Sequence, residues 1–378
     1  MTFYALVLIV AAVVSYAVSL VMWRVGKRWR VYRDIRSRDV HTSPTPRLGG
    51  VALFAGLLVA TAVGSQVTWF RPVYEDPLDV WALVIAAAIV VGIGFVDDMF
   101  ELDWLTKLAG QIIAAGVVAW QGVQIVSLPI GGLTLFSPTL SLVLTVLAIV
   151  LVMNAVNFID GLDGLVAGVT LIASGVFFIY AFLLATGETD APYFNYASLF
   201  TAILLGAMIG FLPLNWHPAK LFLGDSGSLL VGLMMATTAI SVTGQIDPAT
   251  VSATQLLPAF IPVMLPLAVL IVPLVDFLLA VVRRLRAGMS PFEADRAHLH
   301  HRLLDMGHTH LQAVLILYAW TAVLAIGSLM FLFVEWYVAI GIIALGLVGS
   351  TVVTLSPDNR VSDDPLAVPT PTEHEGHS

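Results

Sequence analysis

Four polar segments carry the residues that could do chemistry in this chain. GFVDDMFELDW (94–104) sets two adjacent aspartates after a long apolar run, NFIDGLDG (157–164) and LFLGDSGS (221–228) place carboxylates between glycines, and RAHLHHRL (296–303) groups three histidines. Carboxylate and amide oxygens, in a chain without cysteine, suit a hard cation such as Mg²⁺, which completes its coordination with water and substrate phosphates. The pattern therefore indicates phosphate chemistry.

The local structure around these segments can be predicted in part. In NFIDGLDG, a helical continuation would put Asn157, Asp160 and Gly164 on one face, and the glycines would allow a ligand to approach the backbone closely. Asp225 is predicted at the start of a span, where free backbone N–H groups and the positive helix end favour phosphate oxygens. The same position would also suit an ordinary helix N-cap.

The elements that position these segments are membrane helices. The chain has 378 residues, of which 59% are hydrophobic and only 11% charged, and its mean hydropathy is +0.94, so an all-α polytopic integral membrane protein is predicted. Because a span needs about 20 apolar residues, eleven spans are predicted, with a single transmembrane domain over 1–355 and a disordered tail over 356–378. The eleven runs cover residues 4–23, 48–66, 80–96, 108–126, 138–157, 164–185, 197–214, 226–244, 255–275, 311–334 and 336–355. Only Glu335 separates the last two, but together they are too long for one span.

The distribution of basic residues predicts the orientation. Of the 17 Lys and Arg, all except Arg71 fall in the first, third, fifth, seventh and ninth loops or in the tail. By the positive-inside rule these loops are cytoplasmic, the N-terminus lies outside and the C-terminus lies inside. All four polar segments then fall in cytoplasmic loops, which favours one common site.

Each segment also has an interpretation without chemistry. An aspartate pair at a helix end is often a solvated cap, and the histidines of HLHH could bind zinc, contact phosphate or simply lie in a loop. His308 and His310 are expected to be loop residues, and Asp276 is expected to pair with Arg283 or Arg284.

The combined motifs resemble a known family. With HTSPTPRLGG at 41–50, the four segments resemble the polyprenyl-phosphate N-acetylhexosamine-1-phosphate transferase superfamily, in the branch that uses UDP-GlcNAc, and the resemblance runs from residue 41 to about 303. The sister branch, phospho-MurNAc-pentapeptide transferase, has PTMGG and a contiguous HHH, whereas this chain has PRLGG at 46–50 and HLHH at 298–301. The pentapeptide substrate remains the alternative.

The resemblance implies transfer of GlcNAc 1-phosphate from UDP-GlcNAc to a polyprenyl phosphate, with release of UMP, on the cytoplasmic face of a bacterial inner membrane. It implies Mg²⁺, or Mn²⁺ in its place, on Asp225 with Asn157 as a second ligand. Besides the two substrates, the expected partners are membrane lipids and a second copy of the chain in a homodimer, and no nucleic acid. Either a single displacement or an aspartyl-phosphate intermediate is consistent with these residues.

The resemblance also implies roles for the other site residues. Asp97 and Asp98 would orient or deprotonate the lipid phosphate, and Lys107 would hold phosphate charge. The uridine side would be framed by Asp160, Asp163, Asn215 and Phe222. The sugar phosphate would be engaged by Arg296, His298, His300 and His301.

Two other classes of protein share parts of this pattern. An intramembrane aspartyl protease also uses a glycine-flanked aspartate, but it needs a second catalytic aspartate inside a span. A transporter would place its binding residues near the membrane midplane on broken helices. The acids here cluster instead at loop mouths beside histidines and a lysine.

Overall fold

The computed structural model describes residues 1–29, 45–128, 134–185, 192–243, 256–286, 288 and 299–356. Over these residues the chain forms twelve α-helices, one 3₁₀ turn (Thr68–Tyr74) and two short strands. The helices are α1 (Thr2–Trp29), α2 (Gly49–Gly64), α3 (Pro77–Phe100), α4 (Trp104–Trp120), α5 (Pro138–Ile159), α6 (Leu165–Ala185), α7 (Pro192–Asn215), α8 (Gly224–Thr243), α9 (Leu256–Arg286), α10 (Leu299–Asp305), α11 (His310–Met330) and α12 (Trp336–Leu355).

The two strands form one antiparallel ribbon between α4 and α5. In this ribbon β1 (Ser127–Leu128) pairs with β2 (Thr134–Leu135). The all-α prediction is therefore confirmed except for this two-residue pairing.

The helices have the dimensions of membrane spans. Within the described residues, eight helices are long and apolar enough to cross a bilayer. Helix α2 and the 3₁₀ turn, which meet at a bend of 108°, would make a ninth span if they are counted together. Each of the eleven predicted apolar runs overlaps one described helix. The polytopic architecture is thereby confirmed, while the count of eleven and the orientation stay predictions. The division of the last apolar stretch at Glu335 is confirmed, since α11 ends before this residue and α12 begins after it.

Helices α1 and α7 pack with their backbones in contact. A Cβ atom added at Gly206 would lie 2.1 Å from the carbonyl oxygen of Leu8, and one at Gly210 would lie 2.1 Å from that of Ala12. Small residues four positions apart allow membrane helices to approach this closely, and dispersion contacts then stabilise the pair. This packing fixes α7, which ends at Asn215.

Helix α8 occupies the centre of the molecule. Almost all of its residues are buried, and it packs against α2, α3, α5, α7 and α9. A Cβ atom at Gly232 would lie 2.5 Å from the Cα atom of Met153 in α5, so these two backbones also touch. The neighbouring helices consequently determine where the N-terminal end of α8, with Asp225, is held.

Candidate active site

Three charged side chains from different helices meet at one end of α8. Lys107, in the first turn of α4, donates from Nζ to Oδ2 of Asp97 at 3.0 Å and also to Oδ2 of Asp225. The side chains of Lys107 and Asp225 are 24% and 23% exposed, whereas that of Asp97 is 6% exposed. One ammonium group thus partly neutralises two carboxylates in a site that opens to solvent.

The aspartate pair lies inside a helix. Asp97 and Asp98 are in the last turn of α3, which ends at Phe100, so the prediction that they lie in a loop is wrong. Glu101 ends α3 with a φ of 52°, and Asp103 caps α4 by accepting hydrogen bonds from Leu105 and Thr106. The hydrogen bonds from Thr106 hold the pKa of Asp103 below its usual value. Oδ1 of Asp97 also accepts the N–H of Leu102 at 2.8 Å, so Asp97 and Asp103 both bond to the turn between the helices.

Asp98 caps the N-terminus of α8 from outside that helix. Its Oδ1 accepts from the backbone N–H of Asp225 at 3.0 Å, and its Oδ2 accepts from the N–H and hydroxyl of Ser226 at 3.2 and 3.1 Å. A carboxylate at a helix N-terminus satisfies unpaired N–H groups and interacts favourably with the helix dipole. The prediction that these N–H groups face phosphate is therefore wrong for Asp225 and Ser226, and Asp225 itself is not the cap.

Glycines allow the surrounding backbones to reach the start of α8. A Cβ atom at Gly50 of α2 would lie 2.4 Å from the backbone of Ser226 and Gly227, and one at Gly94 of α3 would lie 2.4 Å from Ser226. Gly224 adopts a φ of 72°, a conformation that glycine accepts without strain. The LGDSGS and PRLGG segments thus owe their glycines to close packing.

Asn157 joins α5 to the same cluster. Its side-chain nitrogen donates to Oδ1 of Asp225 at 3.1 Å and to the hydroxyl of Ser228 at 2.9 Å. The predicted helical continuation through NFIDGLDG is wrong, because α5 ends at Ile159 and the following residues turn back towards α6. This turn carries the remaining acids away from the helix axis.

Asp163 belongs to a second group beside the first. Its Oδ2 accepts from the backbone N–H of Ala219 at 3.0 Å and lies 2.8 Å from Nδ1 of His217, and its own N–H donates to Nε2 of His310 at 3.0 Å. The imidazole rings of His217 and His310 stack with their centroids 4.3 Å apart. His308 does lie in a loop, but the same expectation for His310 is wrong, because His310 begins α11.

Asn215 and Phe222 connect the loops around this second group. Asn215 accepts from the N–H of Gly164 at 3.1 Å and donates to the carbonyl oxygen of Leu221 at 3.1 Å. The backbone of Phe222 donates to Pro46 and accepts from Gly49, at 2.9 and 3.0 Å. The NFIDGLDG, PRLGG and LFLGDSGS segments, which are far apart in the sequence, are therefore connected to one another by hydrogen bonds.

Asp160 is influenced by charges from both groups. Burial, together with the nearby carboxylates of Asp225, Asp98 and Asp163, raises its pKa to about 8, and Arg47 opposes this shift. The site therefore disfavours another negative charge at this position unless a cation is supplied.

The histidine segment is described only in part. Arg296 and His298 lie outside the described residues, as does the side chain of His300. His301 lies half-buried in α10, and the N–H of Leu299 donates to Oδ1 of Asp276 in α9 at 2.8 Å. The expected pairing of Asp276 with Arg283 or Arg284 stays a prediction.

Several residues of the site were not identified from the sequence. These are Ser226, Ser228, His217, His310 and Tyr318. The two serines are adjacent to Asp225, which is a usable signal, but no pattern marks His217 or His310 as partners of Asp163. Tyr318 donates from its hydroxyl to the carbonyl oxygen of Gly164 from the middle of α11, where its aromatic side chain looks like any other in a span.

The first group has the donor chemistry of a Mg²⁺ site. Asp225 supplies a partly exposed carboxylate, Asp97 supplies a buried carboxylate that shares Lys107 with it, and Asn157 supplies an amide next to Asp225. The two carboxylates are already close enough to share the ammonium of Lys107, so the residues fit a bound cation.

Comparison with known proteins shows which family the chain resembles. The model of the family "Glycosyl transferase family 4" matches residues 80–243, which contain Asp97, Lys107, Asn157 and Asp225. The decaprenyl-phosphate N-acetylglucosaminephosphotransferase of Mycobacterium tuberculosis is 39% identical over 95% of this chain and 90% of its own length.

More distant relatives carry related names. The probable undecaprenyl-phosphate N-acetylglucosaminyl 1-phosphate transferase of Bacillus subtilis is 27% identical over 82% of this chain and 81% of its own. The undecaprenyl-phosphate alpha-N-acetylglucosaminyl 1-phosphate transferase of Yersinia pestis is 29% identical over 79% and 77%. With the mycobacterial identity spanning nearly the whole chain, this protein belongs to the polyprenyl-phosphate N-acetylglucosamine-1-phosphate transferase family.

Proposed function

We propose that this protein transfers GlcNAc 1-phosphate from UDP-GlcNAc to decaprenyl phosphate, giving decaprenyl-diphospho-GlcNAc and UMP. The observation that carries the proposal is the contact of Lys107 with both Asp97 and Asp225 at the junction of α3, α4 and α8. Decaprenyl phosphate is preferred as the acceptor because the relatives at 37–39% identity are named for it, whereas those named for the undecaprenyl lipid are 27–29% identical.

The proposed reaction is a phosphoryl transfer. An oxygen of the lipid phosphate attacks the β-phosphorus of UDP-GlcNAc, and the bond from that phosphorus to the oxygen bridging to the α-phosphorus breaks, so that UMP leaves. Lys107, whose side chain is partly buried, neutralises negative charge on the phosphoryl group that is transferred. Mg²⁺, or Mn²⁺, held by Asp225 with Asn157 as a second ligand, would supply further positive charge to the diphosphate when bound.

The contacts of the aspartate pair suggest different roles for its members. Both oxygens of Asp98 accept bonds from the start of α8, which makes Asp98 a positioning residue for Asp225. Asp97 also accepts a backbone bond, from the N–H of Leu102 to Oδ1 at 2.8 Å, but its Oδ2 lies beside Lys107, which also contacts Asp225. Asp97 is therefore the better candidate to orient or deprotonate the lipid phosphate, or to form an aspartyl phosphate. Asp160, Asp163, Asn215 and Phe222 are proposed to bind the uridine side.

The proposed location is the inner membrane of a bacterium, with eleven spans, the N-terminus outside and the site on the cytoplasmic face. Support comes from the basic residues, 16 of 17 of which fall on one predicted side. Residues 1–355 are proposed to form one transferase domain, and Arg296, His298, His300 and His301 to contact the sugar phosphate. The tail after residue 356 lies outside the described residues. A homodimer and bound membrane lipids complete the proposal.

The proposal is tested with purified protein in detergent, Mg²⁺ and decaprenyl phosphate. Radiolabelled UDP-GlcNAc, UDP-GalNAc and UDP-MurNAc-pentapeptide are supplied separately, and the label that enters the lipid is measured. We expect label from UDP-GlcNAc and its loss when EDTA is added. Label from the pentapeptide donor alone would assign the protein to the sister activity.

A further inference from the structure

We propose that His310 is a positioning residue for donor binding, because it holds Asp163 and the DGLDG segment from α11. This inference rests on the proposed function, since it concerns the side of the site that would take the uridine of UDP-GlcNAc. None of the roles implied by the family resemblance involves α11.

Helix α11 is hydrogen-bonded to two consecutive residues of the DGLDG segment, Asp163 and Gly164. His310 is the first residue of α11, and its Nε2 accepts the N–H of Asp163 at 3.0 Å. About two turns later, the hydroxyl of Tyr318 donates to the carbonyl oxygen of Gly164. The ring of Tyr318 lies so close to Gly168 that a Cβ atom there would be 2.0 Å from it. The start of α11 therefore determines where the backbone of the segment lies.

The side chain of Asp163 is held by the loop after α7. Its carboxylate is 3% exposed and lies 2.8 Å from His217, whose ring stacks on that of His310 at an interplanar angle of 23°. Displacement of His310 would thus disturb both the backbone and the carboxylate of Asp163. The two histidines connect α11 to the loop after α7 through this one aspartate.

The direction of the hydrogen bond defines the chemistry that His310 must provide. A backbone N–H in a buried segment needs an acceptor, and Nε2 can accept only while it carries no proton. Phenylalanine would preserve the ring stacking but provide no acceptor. Glutamine would place an amide oxygen near the position of Nε2.

The same three side chains also offer the ligand types of a metal site. The ligand atoms of Asp163, His217 and His310 lie within 4.8 Å of one another. However, Nε2 of His310 already accepts the N–H of Asp163, and the two imidazole rings are stacked on each other. These contacts favour positioning over metal binding.

The experiment compares three variants in the transfer assay. His310→Phe should raise KM for UDP-GlcNAc about tenfold, the effect of about one lost buried hydrogen bond, while kcat and KM for decaprenyl phosphate change by less than about twofold. His310→Gln should restore most of the affinity. The matched control is His308→Phe, because His308 is also buried near the start of α11 but bonds through Nε2 to Thr354 of α12. It should leave KM for UDP-GlcNAc unchanged.

The outcomes separate this inference from the proposed function. If the wild-type protein transfers GlcNAc 1-phosphate but His310→Phe keeps a normal KM for UDP-GlcNAc, only the inference is overturned. An equal effect of His308→Phe, or failure of His310→Gln to restore affinity, would reduce His310 to a general structural role and also overturn it. Stoichiometric zinc in the purified protein, lost in His310→Gln, would assign the three residues to a metal site instead. A wild-type protein without transfer activity would refute the proposed function itself.

Discussion

The carboxylate of Asp98 holds the backbone N–H of Asp225 at 3.0 Å, across 127 residues of sequence. Asp98 looks equivalent to its neighbour Asp97 in the sequence, but its carboxylate caps the start of α8. The position of Asp225, and with it the whole acidic site, depends on this contact between α3 and α8.

Loss of the cap should therefore affect stability more than loss of the neighbouring carboxylate. Removing charged hydrogen bonds from buried N–H groups costs about 1 to 3 kcal/mol, and each kcal/mol corresponds to roughly 2 to 4 °C in Tm for a large domain. Asp98→Ala should lower Tm in detergent by several degrees and abolish turnover. Asp97→Asn should abolish turnover with a Tm close to that of the wild type. Equal Tm values for the two variants would show that the cap does not stabilise the fold.

Asp225 should be required for turnover but not for folding. Asp225→Asn removes the charge next to Lys107 while an amide oxygen can still accept from Asn157. We expect turnover to fall at least about 10²-fold, the scale of a lost electrostatic group in an active site. The elution volume in gel filtration and Tm should remain near those of the wild type. Activity close to that of the wild type would remove Asp225 from the metal site.

Two glycines in the same helix provide a matched test of close packing. A Cβ atom at Gly94 would lie 2.4 Å from the backbone of Ser226, whereas one at Gly92 would have no atom within 4 Å. Gly94→Ala should therefore separate α3 from α8, lowering both Tm and turnover. Gly92→Ala should retain full activity and, because alanine favours helix, should not lower Tm. Tolerance of alanine at both positions would contradict the close contact.

Asp160 should make the protein less stable as the pH rises. Its folded-state pKa of about 8 is above the unfolded value of about 4, so the folded state binds more protons across this window. Stability is then fully present below about pH 4 and is lost as the pH rises through 8. With EDTA present, Tm should fall between pH 5.5 and 8.5, and Asp160→Asn should reduce this fall.

The control for this measurement is Asp305→Asn, which changes an exposed carboxylate at the end of α10. It should leave the pH dependence of Tm as in the wild type. If Asp160→Asn behaves in the same way as this control, Asp160 does not titrate in the folded protein as described.

The sequence by itself determined the class of protein and the residue types of the site. Apolar runs of span length predict membrane helices whatever their packing, because each helix satisfies its own backbone hydrogen bonds. The sequence also determines the types of ligand atom, since carboxylates in a chain without cysteine suit a hard cation such as Mg²⁺. The roles of Asp97, Lys107, Asn157 and Asp225 follow from the motifs that resemble the family, so they too could be predicted without the structure.

Only the tertiary structure decided which partner each polar group has. Asp98 looks identical to Asp97 in the sequence, but it caps a helix that begins 126 residues later, at Gly224. His310 was expected to be a loop residue, yet it bonds to Asp163, 147 residues before it. Such contacts depend on how distant helices cross, and these crossings are set by close packing at positions such as Gly94 and Gly206. Hydropathy and local spacing do not encode which helix meets which, so these roles could be found only where the helices are assembled.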